Sequence, residues 1–410
     1  MPRFTEVAVA NDLGRGRRAI QIALALALVA ALAPAGRAQN SDSAPVASID
    51  GIAPVYGPLP NLAPSQTPDA LPPGAELPLA ATVPPGGASS NPGSAAPNGD
   101  LSAFGEFGAM GSMGGFGGGM HPVDSLRYGD IWFPNVPVKD QATSWQMVGQ
   151  DFSFTHPLWV DPLNAWSMTA GVANRLIETG AVLPDTGQAF PTDLWNVHLG
   201  LRYARQLDDG WVTGGGVSFG SASDHPFASI REMDVGMNAM LRVPQGEHNA
   251  WVFSLMYSPT SELAFPLPGV AFSYNPSPQF HANIGLPFMI VWRPTDAWQF
   301  QASYMLIHTI HVKALYRFTD RLRAFAAYDW SNEAYSLVDR PELNDRLFMY
   351  DQRVSVGLQA TLAPHWTASL AAGFVFDRYS FEGTSFTSGD FDRVNLGDGP
   401  FAALTLGVRF

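Results

Sequence analysis

The sequence predicts an all-β protein, a transmembrane antiparallel β-barrel of about twelve to fourteen strands, on three observations. Apolar side chains alternate with polar or small ones in runs of about nine to thirteen residues. Tilted strands of that length cross a bilayer, whereas soluble strands average about five or six residues. Short and long connections alternate between the runs, and tryptophan and tyrosine gather at the run ends, as an interfacial girdle requires.

Composition fits this reading. The 410 residues carry a net charge of -13, no cysteine, and 14% charged against 46% hydrophobic residues. That is too few charges for an ordinary soluble surface, and the apolar residues do not form the long runs of a helical membrane protein. Without cysteine there are no disulfides, thiolate nucleophiles or zinc-cysteine sites. The acidic balance gives no reason to expect nucleic acid as a partner.

At the N-terminus Arg15, Arg17 and Arg18 precede an apolar stretch from Ala19 to Ala35 and then small residues around Ala38. A basic flank, a short apolar core and a small-residue exit describe a secretory signal peptide over 1–38. Residues 39–123 are expected to be a disordered linker. Its first part is rich in Pro, Ala and Ser, and its second, Phe104 to Pro122, reads FGEFGAMGSMGGFGGGMHP. Such a stretch buries too little apolar surface to offset backbone entropy. Placed before a barrel, it is expected in the periplasm, within reach of the cell wall or a periplasmic partner.

The barrel is expected over 124–410. In LWNVHLGLRYA, Trp195, Val197, Leu199, Leu201 and Tyr203 share one face, while Asn196, His198, Gly200 and Arg202 share the other. This is period two. The pattern returns from Met233 to Val243, Trp251 to Tyr257, Trp298 to Leu306, Ile310 to Phe318, Leu322 to Trp330, Val354 to Leu362 and Trp366 to Phe376. Short turns are expected at 207–211, 244–249, 293–298, 318–322 and 362–366. Longer loops are expected near 174–193, 221–231, 259–279, 331–347 and 377–398. About thirteen runs result, and bacterial barrels have even strand numbers. Either LRYGDIWF, before Pro134, is an additional first strand, or two runs merge across the short IHTIH connection. Pro287 marks a bulge or break, since proline cannot donate to a ladder.

The stretches GLPFMIVWRPTDAWQF, ALYRFTDRLRAFAAYDWSNEAYSL and RLFMYDQRVSVGLQATL resemble an uncharacterised bacterial outer-membrane β-barrel family, a family known only as a domain of unknown function. The likeness spans roughly 140–410 and implies a barrel and no activity. The final run, with Ala402, Leu404, Leu406 and Val408 alternating before Phe410, looks like the signal that the barrel-assembly machinery reads. The location implied is the outer membrane of a Gram-negative-type bacterium, reached by secretion through the inner membrane, with outer-membrane lipid around the wall.

A basic residue facing lipid at mid-bilayer costs about 2–4 kcal/mol, so basic residues in the runs belong on the inner face. Arg202, Lys313, Arg317, Arg323, Arg353 and Arg409 lie out of phase with the apolar stripe. Lys313, Arg317, Arg321, Arg323 and Arg353 would be neighbours on the inner wall, with Asp329 and Asp351 on the same face. Arg202 and these five form an expected basic strip in the lumen. Three readings stay open: rings of Arg or Lys favour anionic solutes in a passive channel, the charges pair with the aspartates and hold a non-conducting structural or surface-interaction barrel together, or, remotely, the barrel is an outer-membrane lipolytic enzyme. No enzymatic activity, cofactor or metal is expected. His308 and His311 flank Thr309 with opposite parity, so with Ser303 they do not make one tight lipolytic constellation. Walker, HExxH and EF-hand spacings are absent. GGGVSFGS at 214–221 has no following helix to cradle phosphate and is expected to let neighbours pack closely.

Overall fold

A computed structural model describes residues 125–258, 265–305, 309–338, 340, 345–385 and 391–410. The expected signal peptide and linker lie outside these residues. Seventeen strands form one sheet: β1 (Ser125–Pro137), β2 (Ser144–Val160), β3 (Asn164–Thr179), β4 (Asp193–Gln206), β5 (Val212–Ser223), β6 (Met233–Gln245), β7 (Asn249–Tyr257), β8 (Leu267–Ser277), β9 (Phe280–Gly285), β10 (Phe288–Trp292), β11 (Trp298–Met305), β12 (Thr309–Arg317), β13 (Leu322–Ser336), β14 (Arg346–Ala363), β15 (Trp366–Gly383), β16 (Val394–Asn395) and β17 (Gly399–Arg409). Each strand pairs antiparallel with the next as far as β15, β17 pairs with β15, and β1 closes the ring on β17 with Ser125 opposite Arg409. The two-residue β16 pairs only with β15, so the closed barrel has 16 staves.

This corrects the expected count of twelve to fourteen. LRYGDIWF is indeed a first strand, within β1. The expected loop at 259–279 conceals β8, whose PGVAFSYNP stretch carries two prolines and a glycine that weaken its strand signal. The NIGLPFMIVW run is two strands, since Leu286 and Pro287 lie between β9 and β10. Gly285 ends β9 at φ 136°, and a Cβ there would stand 2.1 Å from the Val270 carbonyl oxygen, so only glycine fits this approach. β11 and β12 are separate strands paired from Met305–Thr309 down to Trp298–Tyr316, so the short IHTIH connection joins two staves rather than merging them.

The rim carrying Ser125 and Arg409 also carries the short connections, and in outer-membrane barrels the short-turn rim faces the periplasm. All five expected short turns lie there. In the β2–β3 turn, which was not among them, the Asp161 carboxylate accepts hydrogen bonds from the Leu163 and Asn164 amides at 2.8 and 2.7 Å. Those amides, Leu163 first, hold the Asp161 carboxyl below the usual carboxylate range. The long loops occupy the opposite rim but are shorter than expected, because β3, β13 and β15 continue to Thr179, Ser336 and Gly383.

The outer wall is apolar. Leu199, Phe219, Val356 and Leu370 are 51%, 52%, 64% and 63% exposed, which in water would be an aggregation surface and in lipid is a solvation shell. Toward the short-turn rim the aromatic pairs Trp166–Tyr203, Trp251–Phe272 and Trp298–Tyr316 bring ring centroids to 4.6, 5.0 and 4.9 Å, forming a girdle. A polar patch interrupts the wall on β1 and β2, where the Tyr128 hydroxyl donates to Asp130 at 3.3 Å and the Gln150 amide to Tyr128 at 3.4 Å. The physics of the wall and the closed ring make this an outer-membrane β-barrel.

Stave length is uneven. β14 and β15 have 18 residues each, whereas β9 and β10 have 6 and 5. Above the Ile310–Trp330 pair, β13 has no partner on β12. Its far end instead meets β5 across the barrel, where Ser336 and Ser223 form a parallel bridge and the Val338 amide donates to Asp224 at 3.1 Å. Toward the loop rim, therefore, β1 to β5 and β13 to β17 close on themselves, and β6 to β12 stop lower.

Candidate functional site in the barrel interior

The interior has two parts with different chemistry. Beneath the long loops, the upper ends of β1 to β4 and β13 to β17 face each other over an apolar core. Phe133, Trp145, Leu183, Leu194, Leu347 and Val375 are fully buried in it. Each such side chain contributes about 1.5–3 kcal/mol on burial. Small residues allow the close packing: a Cβ at Gly373 would lie 2.6 Å from the Phe401 ring.

Charged groups are locked into this core. The Arg175 guanidinium on β3, 3% exposed, lies 2.8 Å from Glu333 on β13 and 3.0 Å from Asp151 on β2. The Tyr335 hydroxyl donates to Glu333 at 2.7 Å. On β14, Arg353 Nη2 donates to Asp351 at 2.7 Å, and Ser331 donates to the same carboxylate at 2.9 Å. Arg378 stands over the rings of Phe133 and Trp145, 4.6 and 4.2 Å from their centroids. Two loops clasp the top: Asp392, fully buried, accepts from the Asp185 and Thr186 amides at 2.7 and 2.9 Å and from the Thr186 hydroxyl at 2.7 Å.

Below this core the inner wall is polar and small. Arg127, Asn196, His198, Arg202, Lys313 and Arg323 take its inward positions on β1, β4, β12 and β13. The His198 ring lies across Gly171, where a Cβ would come within 2.2 Å of it. From β5 to β9 the wall is narrow, with Ser218 and Asn238 half-buried and Ser273 and Asn283 only 3% and 6% exposed. The glycines at 214–220 serve close packing, since a Cβ at Gly215 would stand 2.8 Å from the Asn238 carbonyl oxygen.

The residues of the expected basic strip separate. Arg317 and Arg323 face each other directly across β12 and β13, and Arg317 also reaches Asp320 at 3.7 Å. Lys313 lies on the same wall, its ammonium 4.3 Å from the Phe325 ring centroid. Arg202 is on β4, with Gly216 of β5 and Ser167 of β3 in register beside it. Arg353 belongs to the upper core rather than to an open strip. Arg321 is not on a strand: it sits in the β12–β13 turn, where its amide donates to Thr319 at 3.2 Å, so the spacing that placed it on the wall counted one residue too many into the hairpin. Among the expected assembly residues, Ala402, Leu404, Leu406 and Val408 share the outward parity of β17. Leu404 is 39% exposed, Val408 is buried at 6%, and Phe410 is 70% exposed.

A cavity of about 80 Å³ opens on the inner wall between β11 and β17, lined among others by Gln301, His311, Lys313, Asp329, Arg353 and Thr405. A second, of about 100 Å³, lies against β1 to β4 and is lined by Arg127, Asp151, Asn196 and His198.

No family model matches this chain, and no curated protein does. Among solved structures it is similar to an outer membrane channel from Pseudomonas putida F1, at 10% identity over 72% of this chain and 98% of that one, with a TM-score of 0.33. It is also similar to the TodX deltaS2S3 mutant monoaromatic hydrocarbon channel, at 11% identity over 71% and 91% with a TM-score of 0.35. The translocator domain of the autotransporter NalP from Neisseria meningitidis gives 11% identity over 72% and 90%, with a TM-score of 0.24.

Proposed function

We propose that this outer-membrane barrel is a low-conductance passive channel for small solutes, with a preference for anions. Its passage runs along β5 to β12, beside a fixed apolar core rather than through it. The observation that carries this reading is the Ser223–Ser336 bridge, by which β5 and β13 fence off the filled upper part of the barrel from the β6–β12 side. The inner wall on that side mixes serine, asparagine, glycine and glutamine with Val252, Val291 and Leu315, and its polar groups hydrate a solute without binding it tightly. The anion preference rests on Arg317 and Arg323, two like charges held directly opposite each other. That arrangement costs free energy, which the exposed Asp320 carboxylate, 3.7 Å from Arg317, offsets only in part and which an anion between the two guanidinium groups relieves further.

Reversal-potential measurements in a salt gradient test the selectivity. The double substitution Arg317→Glu and Arg323→Glu is expected to move the preference toward cations, and an unchanged reversal potential would contradict the anion reading. A second reading, a non-conducting structural barrel, is favoured by the filled core beneath the loop rim, and a folded barrel that never conducts would establish it. We also propose that β17 together with Phe410 is the segment the barrel-assembly machinery binds, and that the linker at 39–123 reaches a periplasmic partner or the cell wall. Deleting Phe410 is expected to reduce insertion in cells while leaving refolding in detergent intact.

A further inference from the structure

Ser303, His311 and Asp329 stand in one row across three neighbouring staves. Ser303 of β11 is the register partner of His311 on β12, and His311 is the register partner of Asp329 on β13. All three share the inward parity of Gln301, Lys313 and Ala327. His311 Nδ1 lies 2.7 Å from Asp329 Oδ1, and the two side chains are 13% and 23% exposed. With Nδ1 held by the carboxylate on β13, Nε2 is the ring nitrogen left to take a proton from Ser303, its register partner on β11. Directly opposite residues on one face of an antiparallel pair have Cβ atoms about 4.5–5.5 Å apart, within reach of a serine hydroxyl and an imidazole. The neighbouring register pair, Gln301 and Lys313, lines the same 80 Å³ cavity as His311 and Asp329, and Gln301 is itself 3% exposed.

From this juxtaposition we infer that the barrel carries a serine esterase site on its inner wall, with Ser303 as nucleophile, His311 as general base and Asp329 as its orienting carboxylate. The roles are those of a nucleophile, a base within reach and a third group that fixes the base's tautomer. Ser303 Oγ attacks the carbonyl carbon of an ester, and its proton passes to His311 Nε2 as the C–O bond forms. The carbonyl electron pair moves onto the oxygen, which takes hydrogen bonds from Gln301 and Lys313. Collapse of the adduct breaks the bond to the alcohol, which leaves with the proton from Nε2. Water then repeats the sequence on the acyl-serine, releasing the acid and restoring the hydroxyl. The Lys313 ammonium favours esters that carry an anionic group. Lipid on the outer wall does not reach this row.

The test uses the full chain refolded in detergent, with heat-modifiable gel mobility as the folding control. A fluorophosphonate probe is expected to label Ser303, located by peptide mass. Hydrolysis of p-nitrophenyl acetate is expected to fall at least about 100-fold in Ser303→Ala and in His311→Gln, the scale of a lost general base or nucleophile. Absence of label at Ser303 on the folded wild-type barrel overturns the inference, even where a variant fails to fold. So does hydrolysis that survives Ser303→Ala unchanged.

Discussion

Glu333 on β13 meets Arg175 on β3 at 2.8 Å across the interior of the barrel, between staves that are not neighbours in the sheet. The contact joins the two walls that enclose the upper core. Both side chains are buried, so each charge depends on the other for the solvation that water would have given it. Glu333→Gln would leave Arg175 with Asp151 alone and cost about 3–5 kcal/mol, the range for breaking a buried pair from one side. Urea titration followed by gel mobility measures this loss. Replacing all three charges with apolar residues of similar volume is expected to recover most of it.

Phe133 is fully buried beneath Arg353, Arg378, Trp145 and Phe401. Phe133→Ala removes the ring on which two guanidinium groups rest and is expected to cost about 3–5 kcal/mol. If the core is fixed packing rather than a gate, the folded variant should conduct no more than the parent barrel, as single-channel recording would show.

The opposed pair Arg317 and Arg323 yields a stability prediction of opposite sign. Arg323→Asp converts a like-charge pair into an opposite-charge one, worth about 0.2–1 kcal/mol for a cross-strand position. Denaturant midpoints at low and high salt should both rise relative to the parent, with the larger gain at low salt.

Gly373 tests the close packing of the core. A methyl group there would stand 2.2 Å from the Val354 carbonyl oxygen and 2.6 Å from the Phe401 ring. Gly373→Ala must displace Phe401 and β14 backbone and is expected to destabilise by about 1–3 kcal/mol, the usual range for overpacking. Near-ultraviolet circular dichroism during denaturant unfolding follows this change.

Much of the barrel was legible because lipid imposes one rule along most of the wall: outward residues apolar, inward residues polar or small. Runs such as Trp195 to Tyr203 and Val354 to Leu362 obey it without exception. The rule weakens where a strand is short or interrupted, which is why β8, with Pro268 and Pro276, was read as a loop, and the β9–β10 pair around Pro287 as one run with a bulge or break. The upper core was not legible at all. Phe133, Trp145 and Leu347 sit at inward positions where the alternation calls for polar residues, and only the fold shows that they face each other. Arg175 inside VANRLIET and Glu333 inside DWSNEAYS each have a second charge nearby, Glu178 and Asp329, and nothing in a linear pattern pairs residues 158 positions apart. Ser303 and Asp329 were visible singly. The row they form with His311 depends on register, which hairpin geometry sets.

Because the chain has no native cysteine, single cysteines can map the passage directly, and this is the measurement on which the channel reading stands. In single-channel recordings, a charged methanethiosulfonate reagent is expected to reduce the current through Ser218→Cys and Asn238→Cys, half-buried on the β5–β6 inner wall. It should leave Ser331→Cys, buried at 3% in the upper core, unaffected. Block at position 331 with none at 218 or 238, or a folded barrel that carries no current, would contradict the account.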